Sequence, residues 1–409
     1  MAKKTSYDNE AIVSLKGADR VRLRPGVIFG SDGIEGCKHS VFEILSNSID
    51  EARDGNGDKI IVTRYKDNMI EVEDFGRGCP VDFNKAEDKY NWELVYCELY
   101  AGGKYNNNSG ENYEFSLGLN GLGACATQYS SEFMDVEVYR DGSKFNLHFE
   151  KGENIGGLVK DDTTRKKTGT RTRWRPDLDV FTDIDIEKEF FQDTLKKQAI
   201  VNPKIYFIFR NQNDDGGFEE ETFFYENGIA DYVAEFVGEN NLTSIQTWSG
   251  DRKGRDRKDM NDYKVKLHLS FTFSNKVNIL EYFHNSSFLE YGGSPDKAVK
   301  NAFVYQIDNY LKTNNKYQKG ESKIKFEDIE DCLVLISSSF STQTSYENQT
   351  KKSITNKFIQ ECMTEFLRHQ LEVYFIENPD EALRIAEQIM VNKRSRESAE
   401  KSRLNIKKK

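Results

Sequence analysis

Residues 42–52 read FEILSNSIDEA, and this stretch decides the fold of the first half of the chain. Between Cys37 and Arg53, apolar residues recur at the spacing of an α-helix, and the run Asp54-Gly55-Asn56-Gly57 then ends the helix. The apolar residues are Val41, Phe42, Leu45, Ile49 and Ala52. The pattern therefore predicts an amphipathic helix with one packed face.

The other face of this predicted helix is polar. It carries Glu43, Asn47, Asp50 and Glu51, whose offsets of four, seven and eight residues place them along one side. A carboxylate next to a water molecule can act as a general base, and an amide oxygen one turn away is a hard ligand suited to Mg²⁺. Taken alone, the stripe fits an ordinary surface helix better, because most polar helix faces only meet water.

The loops that follow this helix favour a nucleotide site. Strands are predicted at Lys59–Tyr65 and Met69–Glu73, and the second leads into EDFGRGCP at residues 73–80. The Asp74 carboxylate at the strand end can accept a hydrogen bond from an exocyclic amine such as that of adenine. Gly76 and Gly78 allow the backbone to approach a flat ring closely.

Further glycines surround a second predicted helix. Residues 101–104 read AGGK and residues 117–123 read LGLNGLG, just before the helical stretch Ala124–Tyr129. Backbone amides at a helix start attract anions, and a triphosphate is such an anion. The sequence contains no phosphate loop of the G-x-x-x-x-G-K-[ST] form. KTGT at residues 167–170, entering a predicted strand, completes a set of four elements in a fixed order.

This order resembles that of the GHKL ATPases, and within them the B-type chains of bacterial type IIA DNA topoisomerases, gyrase and topoisomerase IV. The resemblance extends over nearly the whole chain. It rests on Tyr7-Asp8, RLRPG at 22–26 with Gly30, FEILSNSIDEA, EDFGRG, the segment from YAGGKY to GLNGLG, KTGT and Gln349-Thr350-Lys351. It implies an α+β fold: a GHKL (Bergerat-type) ATPase sandwich of mixed sheet and helices, followed by a smaller α+β transducer domain like domain 2 of ribosomal protein S5.

The resemblance also implies roles for individual residues. Glu43 would polarise the attacking water, His39 would steady Glu43, and Asn47 would hold the magnesium ion. Gln349 and Lys351 would reach the γ-phosphate from the second domain. The remaining nucleotide-binding residues implied are Tyr7, Asp50, Glu51, Asp74, Arg77, Gly78, Lys104, Tyr113, Leu119, Asn120, Gly121, Leu122, Gly123 and Thr170.

Within that set, Asp74 would bind adenine, with Thr170 beside it through a water molecule. Lys104 and the backbone amides of residues 119–123 would cradle the phosphates, and Tyr7 would reach the nucleotide of the other subunit in a dimer. Two departures from the family pattern are Phe75, where a second acidic residue is common, and Leu117-Gly118-Leu119-Asn120, where a second glycine and a histidine are common.

The length of 409 residues exceeds what one hydrophobic core usually supports, so two domains are expected. The pattern resets near Glu220–Asn227, which predicts an ATPase domain at 1–225, with a dimerisation arm at about 1–20, and a transducer domain at 226–409. Predicted elements of the second half are a helix at Ile229–Val237, strands at Tyr263–Phe273 and Cys332–Ser337, helices at Pro295–Thr313 and Ile354–Glu377, and a final helix from Asp380.

The net charge is −10, yet residues 393–409 (KRSRESAEKSRLNIKKK) are strongly basic. Such a run is either a solvated helical tail or a surface that faces DNA, and both interpretations stay open. The six cysteines are scattered without close pairs, which predicts reduced, structural thiols. No stretch approaches the ~20 apolar residues of a membrane span, and a cytoplasmic protein is expected.

The function expected is an ATP- and Mg²⁺-dependent homodimer clamp that closes on double-stranded DNA. DNA cleavage would fall to an absent core and to an A-type partner subunit with the cleaving tyrosine, so the chain is expected to be part of a longer protein. Alternatives are another GHKL protein, such as a mismatch-repair ATPase, a heat-shock chaperone or a histidine kinase, and a nucleotide-binding switch that does not hydrolyse. Glu43 argues against the switch, because loss of the base is the simplest way to make one.

Overall fold

The computed structural model describes residues 14–103, 115–118 and 121–407, and side-chain environments up to residue 403. Contacts divide the described chain into two compact units. The first comprises residues 14–103, 118, 121–193 and 207–222, and the second comprises residues 115–117, 194–206 and 223–407.

The first part of the chain alternates helices with a large sheet. Its helices are α1 (Asp19–Arg22), α2 (Pro25–Phe29), α3 (Ile34–Arg53), α4 (Asn91–Cys97), α5 (Gly123–Tyr129) and α6 (Lys188–Val201). Its strands are β1 (Lys59–Arg64), β2 (Ile70–Asp74), β3 (Phe83–Asn84), β4 (Lys89–Tyr90), β5 (Ser131–Arg140), β6 (Ser143–Glu150), β7 (Glu153–Asn154), β8 (Val159–Asp162), β9 (Gly169–Pro176), β10 (Tyr206–Gln212) and β11 (Phe218–Phe223).

The main sheet has the order β11-β10-β1-β2-β9-β5-β6-β7, with β8 also paired to β6. Strand β2 pairs antiparallel with both β1 and β9, so the residues around Asp74 lie in the interior of the sheet. Alternation in β5 turns Met134, Val136 and Val138 inwards, as period-two patterning requires. Helix α3 packs on β1, β2 and β9, which brings its polar face close to the end of β2.

The second unit contains a smaller sheet covered by long helices. Its helices are α7 (Ile229–Val237), α8 (Ser294–Thr313), α9 (Phe326–Glu330), α10 (Lys357–Glu377) and α11 (Pro379–Lys407). Its strands are β12 (Gln246–Gly254), β13 (Tyr263–Phe273), β14 (Ile279–His284), β15 (Ser287–Phe288) and β16 (Leu333–Ser341), in the order β12-β13-β16-β14-β15. Strands β14 and β16 are parallel, and the other pairs are antiparallel.

Strand β16 is apolar on both sides at its start because both faces of the sheet are covered there. Leu333 and Leu335 belong to the core that includes α8 and α10, whereas Val334 and Ile336 pack with Ile229 of α7. A strand buried on both faces is expected to form a continuous hydrophobic run rather than an alternating one. From Ser337 onwards the strand consists of buried serines, apart from the half-buried Phe340.

Most predicted elements are confirmed, with ends that differ by a few residues. Helix α7 and strand β13 begin and end as predicted, while α3 begins at Ile34, β16 extends to Ser341 and α10 begins only at Lys357. Helices α4 and α6 and strands β10, β11, β12 and β14 were not predicted. Strand β12 carries a charged run at Asp251–Lys253 and lies at the edge of its sheet, and such segments are hard to distinguish from loops by sequence.

Two basic residues at the start of the tail, Lys393 and Arg396, are not solvated, although Arg394 between them is exposed. Lys393 is fully buried, and its Nζ lies 3.1 Å from carboxylate oxygens of both Glu321 and Glu397. Arg396 pairs with the buried Asp328 at 2.7 Å. Desolvation raises the pKa of the Glu321 carboxyl, but hydrogen bonds from Arg394, the Gln318 backbone N–H and Lys393 outweigh it and lower the pKa to about 2. Helix α11 is thus fixed to residues 321–328 by ion pairs.

Replacing Lys393 by alanine is expected to lower the free energy of unfolding by about 3 kcal/mol, because two carboxylates would lose a buried cation. Arg394→Ala is the matched control: it also pairs with Glu321, but its side chain is 49% exposed. Exposed pairs contribute less than about 1 kcal/mol. Urea-induced unfolding of the two variants measures the difference, and equal losses would contradict the structural role of Lys393.

The cysteines are free thiols, in agreement with the sequence. Burial raises the pKa of Cys37, Cys79 and Cys332 to about 12 in each case, so these groups stay protonated near neutral pH. None of the helices in the described part of the chain is long and apolar enough to cross a membrane.

Candidate functional site

The polar face of α3 is covered rather than solvated. Glu43 and Asp50 are each only 3% exposed, although both carry carboxylates. Burying a charged group is costly unless it has partners, so carboxylates are seldom buried without a reason. The interpretation of this stripe as an ordinary water-facing surface is therefore wrong, because two of its carboxylates are buried.

His39 and the start of α5 both contact the Glu43 side chain. Nε2 of His39, one turn earlier on α3, lies 3.1 Å from Oε1 of Glu43. On the other side, α5 begins at Gly123, where an added Cβ would collide with Oε2 of Glu43. A glycine is needed at that position because the start of α5 approaches the carboxylate so closely. The sequence-predicted residues Glu43, His39 and Gly123 are thus brought together.

Asn47 lies one turn after Glu43 on the same face. Its amide nitrogen donates to the backbone carbonyl of Glu43 at 3.3 Å. Because the nitrogen faces the helix backbone, the amide oxygen is the atom directed away from it. An amide oxygen beside a carboxylate is the kind of donor set that Mg²⁺ accepts. The described residues contain no cluster of three or more His, Cys, Asp or Glu side chains that could hold a metal alone.

Asp74 is buried at the end of β2 and held by three donors. Oδ2 accepts from the Ser48 hydroxyl at 2.8 Å, while Oδ1 accepts from the backbone N–H groups of Gly76 at 3.0 Å and Thr170 at 3.2 Å. Burial raises the pKa of the Asp74 carboxyl above its ordinary value, and these three hydrogen bonds oppose that shift. The carboxylate is therefore fixed in orientation at the position from which the sequence predicts adenine recognition.

The start of β9 is shaped to fit against Asp74. Gly169 has a φ of +150°, and a Cβ there would collide with the backbone carbonyl of Asp74. Thr170 uses its hydroxyl to accept from the N–H of Cys79 at 2.9 Å, and Thr168 donates to the carbonyl of Gly76. The KTGT motif and the EDFGRG motif are consequently joined by backbone and side-chain hydrogen bonds in both directions.

Arg77 pairs with Glu51. Its guanidinium contacts both carboxylate oxygens, at 3.2 and 2.8 Å, a bidentate geometry that fixes both side chains. Gly78 follows with a φ of +83°, and a Cβ there would meet the carbonyl of Tyr139. Arg77, Glu51 and Gly78 are therefore held in place just after the end of β2.

Phe75, where the family commonly has an acidic residue, lies between two cations. The Lys59 ammonium lies 4.4 Å and the Arg165 guanidinium 5.1 Å from its ring centroid. Arg165 also pairs with Glu73 at 2.8 Å and lies 4.0 Å from the centre of the Tyr139 ring. An aromatic ring thus occupies this position through cation–π contacts.

The structure describes part of the glycine-rich segment before α5. The N–H of Gly118 donates to Oδ2 of Asp50 at 3.1 Å, which gives the buried Asp50 carboxylate a partner in the loop. Gly121 has a φ of +59°, and Leu122 is buried just before α5. The predicted site residues Tyr7, Lys104, Tyr113, Leu119 and Asn120 lie outside the described residues.

The loop with Gln349 and Lys351 belongs to the second unit. Lys351 is only 3% exposed and has a left-handed φ of +59°. Its carbonyl accepts from the Ser287 hydroxyl at 3.0 Å, and a β-bridge between Tyr346 and Ile354 closes the loop. A lysine with a buried side chain is not the ordinary surface lysine that is most common.

Two residues that contribute to the site were missed in the sequence. Ser48 holds Asp74, and Arg165 stacks on Phe75. Ser48 lies next to Ile49 on the apolar side of α3, and a serine there is a signal for a buried hydrogen-bond partner. No local pattern marks Arg165, whose contacts to Glu73 and Phe75 come from a strand distant in sequence.

Comparison with known families gives a match in the second unit and relatives along the whole chain. The family model for DNA gyrase B matches residues 228–405. The DNA gyrase B protein of Thermotoga maritima is 30% identical over 404 residues, which are 98% of this chain and 62% of that protein. The gyrase B protein of Staphylococcus aureus strain N315 is 30% identical, with coverage of 97% and 60%. The chain thus spans about three fifths of the length of these curated relatives.

Solved structures agree with the fold. The 43K ATPase domain of Thermus thermophilus gyrase B, solved with an aminocoumarin, has a TM-score of 0.68 and 26% identity, covering 95% of this chain and 98% of that one. The topoisomerase IV ATP-binding domain of Francisella tularensis has the same TM-score of 0.68 and identity of 26%, with coverage of 94% and 98%. Both comparisons identify the GHKL ATPase fold followed by a transducer domain. The chain is therefore similar to DNA gyrase B proteins over nearly its whole length.

Proposed function

We propose that the chain binds ATP with Mg²⁺ and hydrolyses it, with Glu43 as the general base. The observation that carries this proposal is a buried carboxylate on α3 that contacts His39 and the start of α5, with Asn47 one turn away. A general base must lie next to the water that it activates, and a buried position keeps other waters out. His39 would orient Glu43 rather than act on the substrate itself.

Adenine recognition is assigned to Asp74. A carboxylate has about four acceptor positions, and three donors from Ser48, Gly76 and Thr170 already face this one. The exocyclic amine of adenine would be the fourth donor, with a water on Thr170 beside it. Arg77, Glu51 and Gly78 would form the wall next to the ring.

Asn47 would hold the magnesium ion through its amide oxygen. When bound, Mg²⁺ would neutralise negative charge that develops on the phosphates during phosphoryl transfer. Lys104 and the backbone amides of residues 119–123 would hold the phosphates, with Asp50 fixing Gly118 at the base of that loop. Tyr113 would complete the nucleotide site, and Tyr7 would do so from the second copy of a dimer.

Gln349 and Lys351 would sense the γ-phosphate. A lysine that pairs with this phosphate only while it remains attached gives the bound and hydrolysed states different energies, so hydrolysis releases the contact. On this basis residues 1–225 act as the ATPase domain and residues 226–409 as the transducer that converts the nucleotide state into domain movement.

The wider role we propose is that of the ATP-operated clamp of a cytoplasmic type II DNA topoisomerase. ATP binding would dimerise the chain around a double-stranded DNA segment and drive strand passage. DNA cleavage would belong to the missing core and to an A-type partner that carries the reactive tyrosine. This role is supported by the relatives, which are gyrase B proteins by name. It is also supported by Glu43 and Asn47 on α3 and by Asp74 at the end of β2.

The test is the steady-state ATPase rate of the chain against its own concentration, with and without Mg²⁺. We expect a Mg²⁺-dependent rate that rises more steeply than in proportion to protein, because a dimer completes the site. Sedimentation with a non-hydrolysable ATP analogue then measures the dimer directly. A rate strictly proportional to the protein concentration would contradict the dimer clamp. Complete absence of turnover with retained ATP binding would favour the non-hydrolysing switch.

A further inference from the structure

The hairpin that joins β14 to β15 is buried, which is unusual for a hairpin tip. His284 pairs with Ser287 across it, and Asn285 and Ser286 form the two-residue connection. His284, Asn285 and Ser286 are each 0% exposed. We call residues 284–287 the His284 turn. Loops normally lie at the surface because their polar groups need water, so these groups must find partners within the protein.

The backbone of the His284 turn also needs support. Asn285 has a φ of +45° and Ser286 a φ of +66°, the pattern of a type I′ turn. Asparagine tolerates this left-handed region, but glycine is the usual residue at the second position, and serine is disfavoured there. A conformation that the local sequence disfavours persists only where tertiary contacts determine it.

One side of the turn is held by the last turn of α6 and the residue after it, all within the second unit. The Ser286 hydroxyl lies 2.9 Å from Oδ1 of Asn202, and Nε2 of Gln198 donates to the Ser286 carbonyl at 2.9 Å. Asn202 and Gln198 are themselves buried and joined by a hydrogen bond. This side forms a fixed base for the turn.

The other side of the turn holds the end of β16 and the loop after it. Nδ1 of His284 lies 2.8 Å from the Ser339 hydroxyl, and Nε2 lies 2.9 Å from that of Ser341 and 3.1 Å from that of Thr344. Asn285 makes two hydrogen bonds to the backbone of Ser341. Its Nδ2 donates to the Ser341 carbonyl at 3.0 Å, and its Oδ1 accepts from the Ser341 N–H at 2.9 Å. Because hydroxyl groups can donate or accept, either neutral tautomer of His284 satisfies both ring nitrogens.

The same turn reaches Lys351 directly. Ser287 donates through its hydroxyl to the Lys351 carbonyl at 3.0 Å, and Lys351 itself has a left-handed φ of +59°. The loop from Ser341 to Lys351 is thus attached to the turn at its start, through His284 and Asn285, and at Lys351, through Ser287.

We propose that the His284 turn fixes the position of Lys351, with His284 as a positioning residue that acts through Nε2 on Ser341 and Thr344. This inference rests on the proposed function, in which Lys351 contacts the γ-phosphate. The turn contributes no atom to the nucleotide site. It sets the loop conformation in which Lys351 can pair with the phosphate, and so lowers the conformational cost of that pairing.

The two amide substitutions of His284 separate its two ring nitrogens. Glutamine reaches the position of Nε2 and keeps a partner for Ser341 and Thr344, whereas asparagine reaches only that of Nδ1 and keeps the partner of Ser339. We expect His284→Asn to lower kcat about 5- to 30-fold, with the Kd for an ATP analogue within about twofold of wild type, and His284→Gln to restore kcat to within about threefold. In His284→Asn without nucleotide, backbone amides of residues 342–352 should exchange hydrogen faster.

The Lys351→Ala variant distinguishes the two hypotheses. If Lys351→Ala loses turnover while His284→Asn keeps the wild-type kcat and hydrogen exchange, the positioning role is wrong and the proposed function stands. If Lys351→Ala keeps the wild-type kcat, the proposed role of Lys351 is wrong, and the positioning role falls with it. Thermal unfolding checks that His284→Asn is folded. A loss of turnover that His284→Gln shares equally would also overturn the assignment to Nε2.

Discussion

Replacing Glu43 by alanine is expected to lower the ATP turnover rate by about 100- to 10,000-fold while the affinity for ATP changes only a few fold. The carboxylate is 3% exposed and lies beside the start of α5, where it would face the attacking water. Its loss removes the proton acceptor but none of the groups assigned to adenine. Single-turnover hydrolysis and binding of a non-hydrolysable analogue measure the two quantities separately.

The control for this variant is Glu35→Gln on the same helix. The Glu35 side chain is 65% exposed and pairs with the neighbouring Lys38 across one turn, so its replacement should leave the rate unchanged. Glu43→Gln provides a second test, because it keeps the size of the side chain next to Gly123 but removes the base. A Glu43→Ala rate within threefold of wild type would show that another group activates the water.

Replacing Asp74 by asparagine is expected to weaken ATP binding by about 30- to 300-fold. The amide has one acceptor oxygen, whereas the carboxylate accepts from Ser48, Gly76 and Thr170. One of these donors would then face an N–H group, and the acceptor assigned to the adenine amine would be lost. The preference for ATP over GTP should fall as well, because guanine presents an oxygen where adenine presents the amine. Competition binding with the two nucleotides measures this preference.

The neighbouring Glu73→Gln is the matched control for Asp74→Asn. Side chains alternate along β2, so Glu73 points to the opposite face, where it pairs with Arg165. Its replacement should leave the ratio of the two nucleotide affinities unchanged. If Asp74→Asn retained both its affinity and its preference, adenine would have to be recognised by another group.

The basic tail shows how a sequence pattern acquires a different meaning in the fold. Residues 393–409 are basic, yet Lys393 and Arg396 bind Glu321 and Asp328 of the same unit. Their charge is neutralised locally by carboxylates, so they contribute little to a field that attracts DNA phosphates. Any contact of this helix with DNA would therefore depend on basic residues further along it.

The sequence by itself determined the helix with Glu43, the strand that ends at Asp74 and the resemblance to the GHKL ATPases, because these depend on local signals. Apolar spacing predicted α3, and glycines marked the positions where backbones approach closely.

Only the tertiary structure decided which polar groups are buried and what holds them. Three features depend on contacts between residues from different elements. They are the burial of Glu43, the hydrogen bond from Ser48 to Asp74, and the cations around Phe75. The His284 turn is the clearest case, because its two left-handed residues have no glycine to announce them. Local sequence sets backbone preference, but partners distant in the chain supply the hydrogen bonds that override it, and those partners meet only in the folded protein.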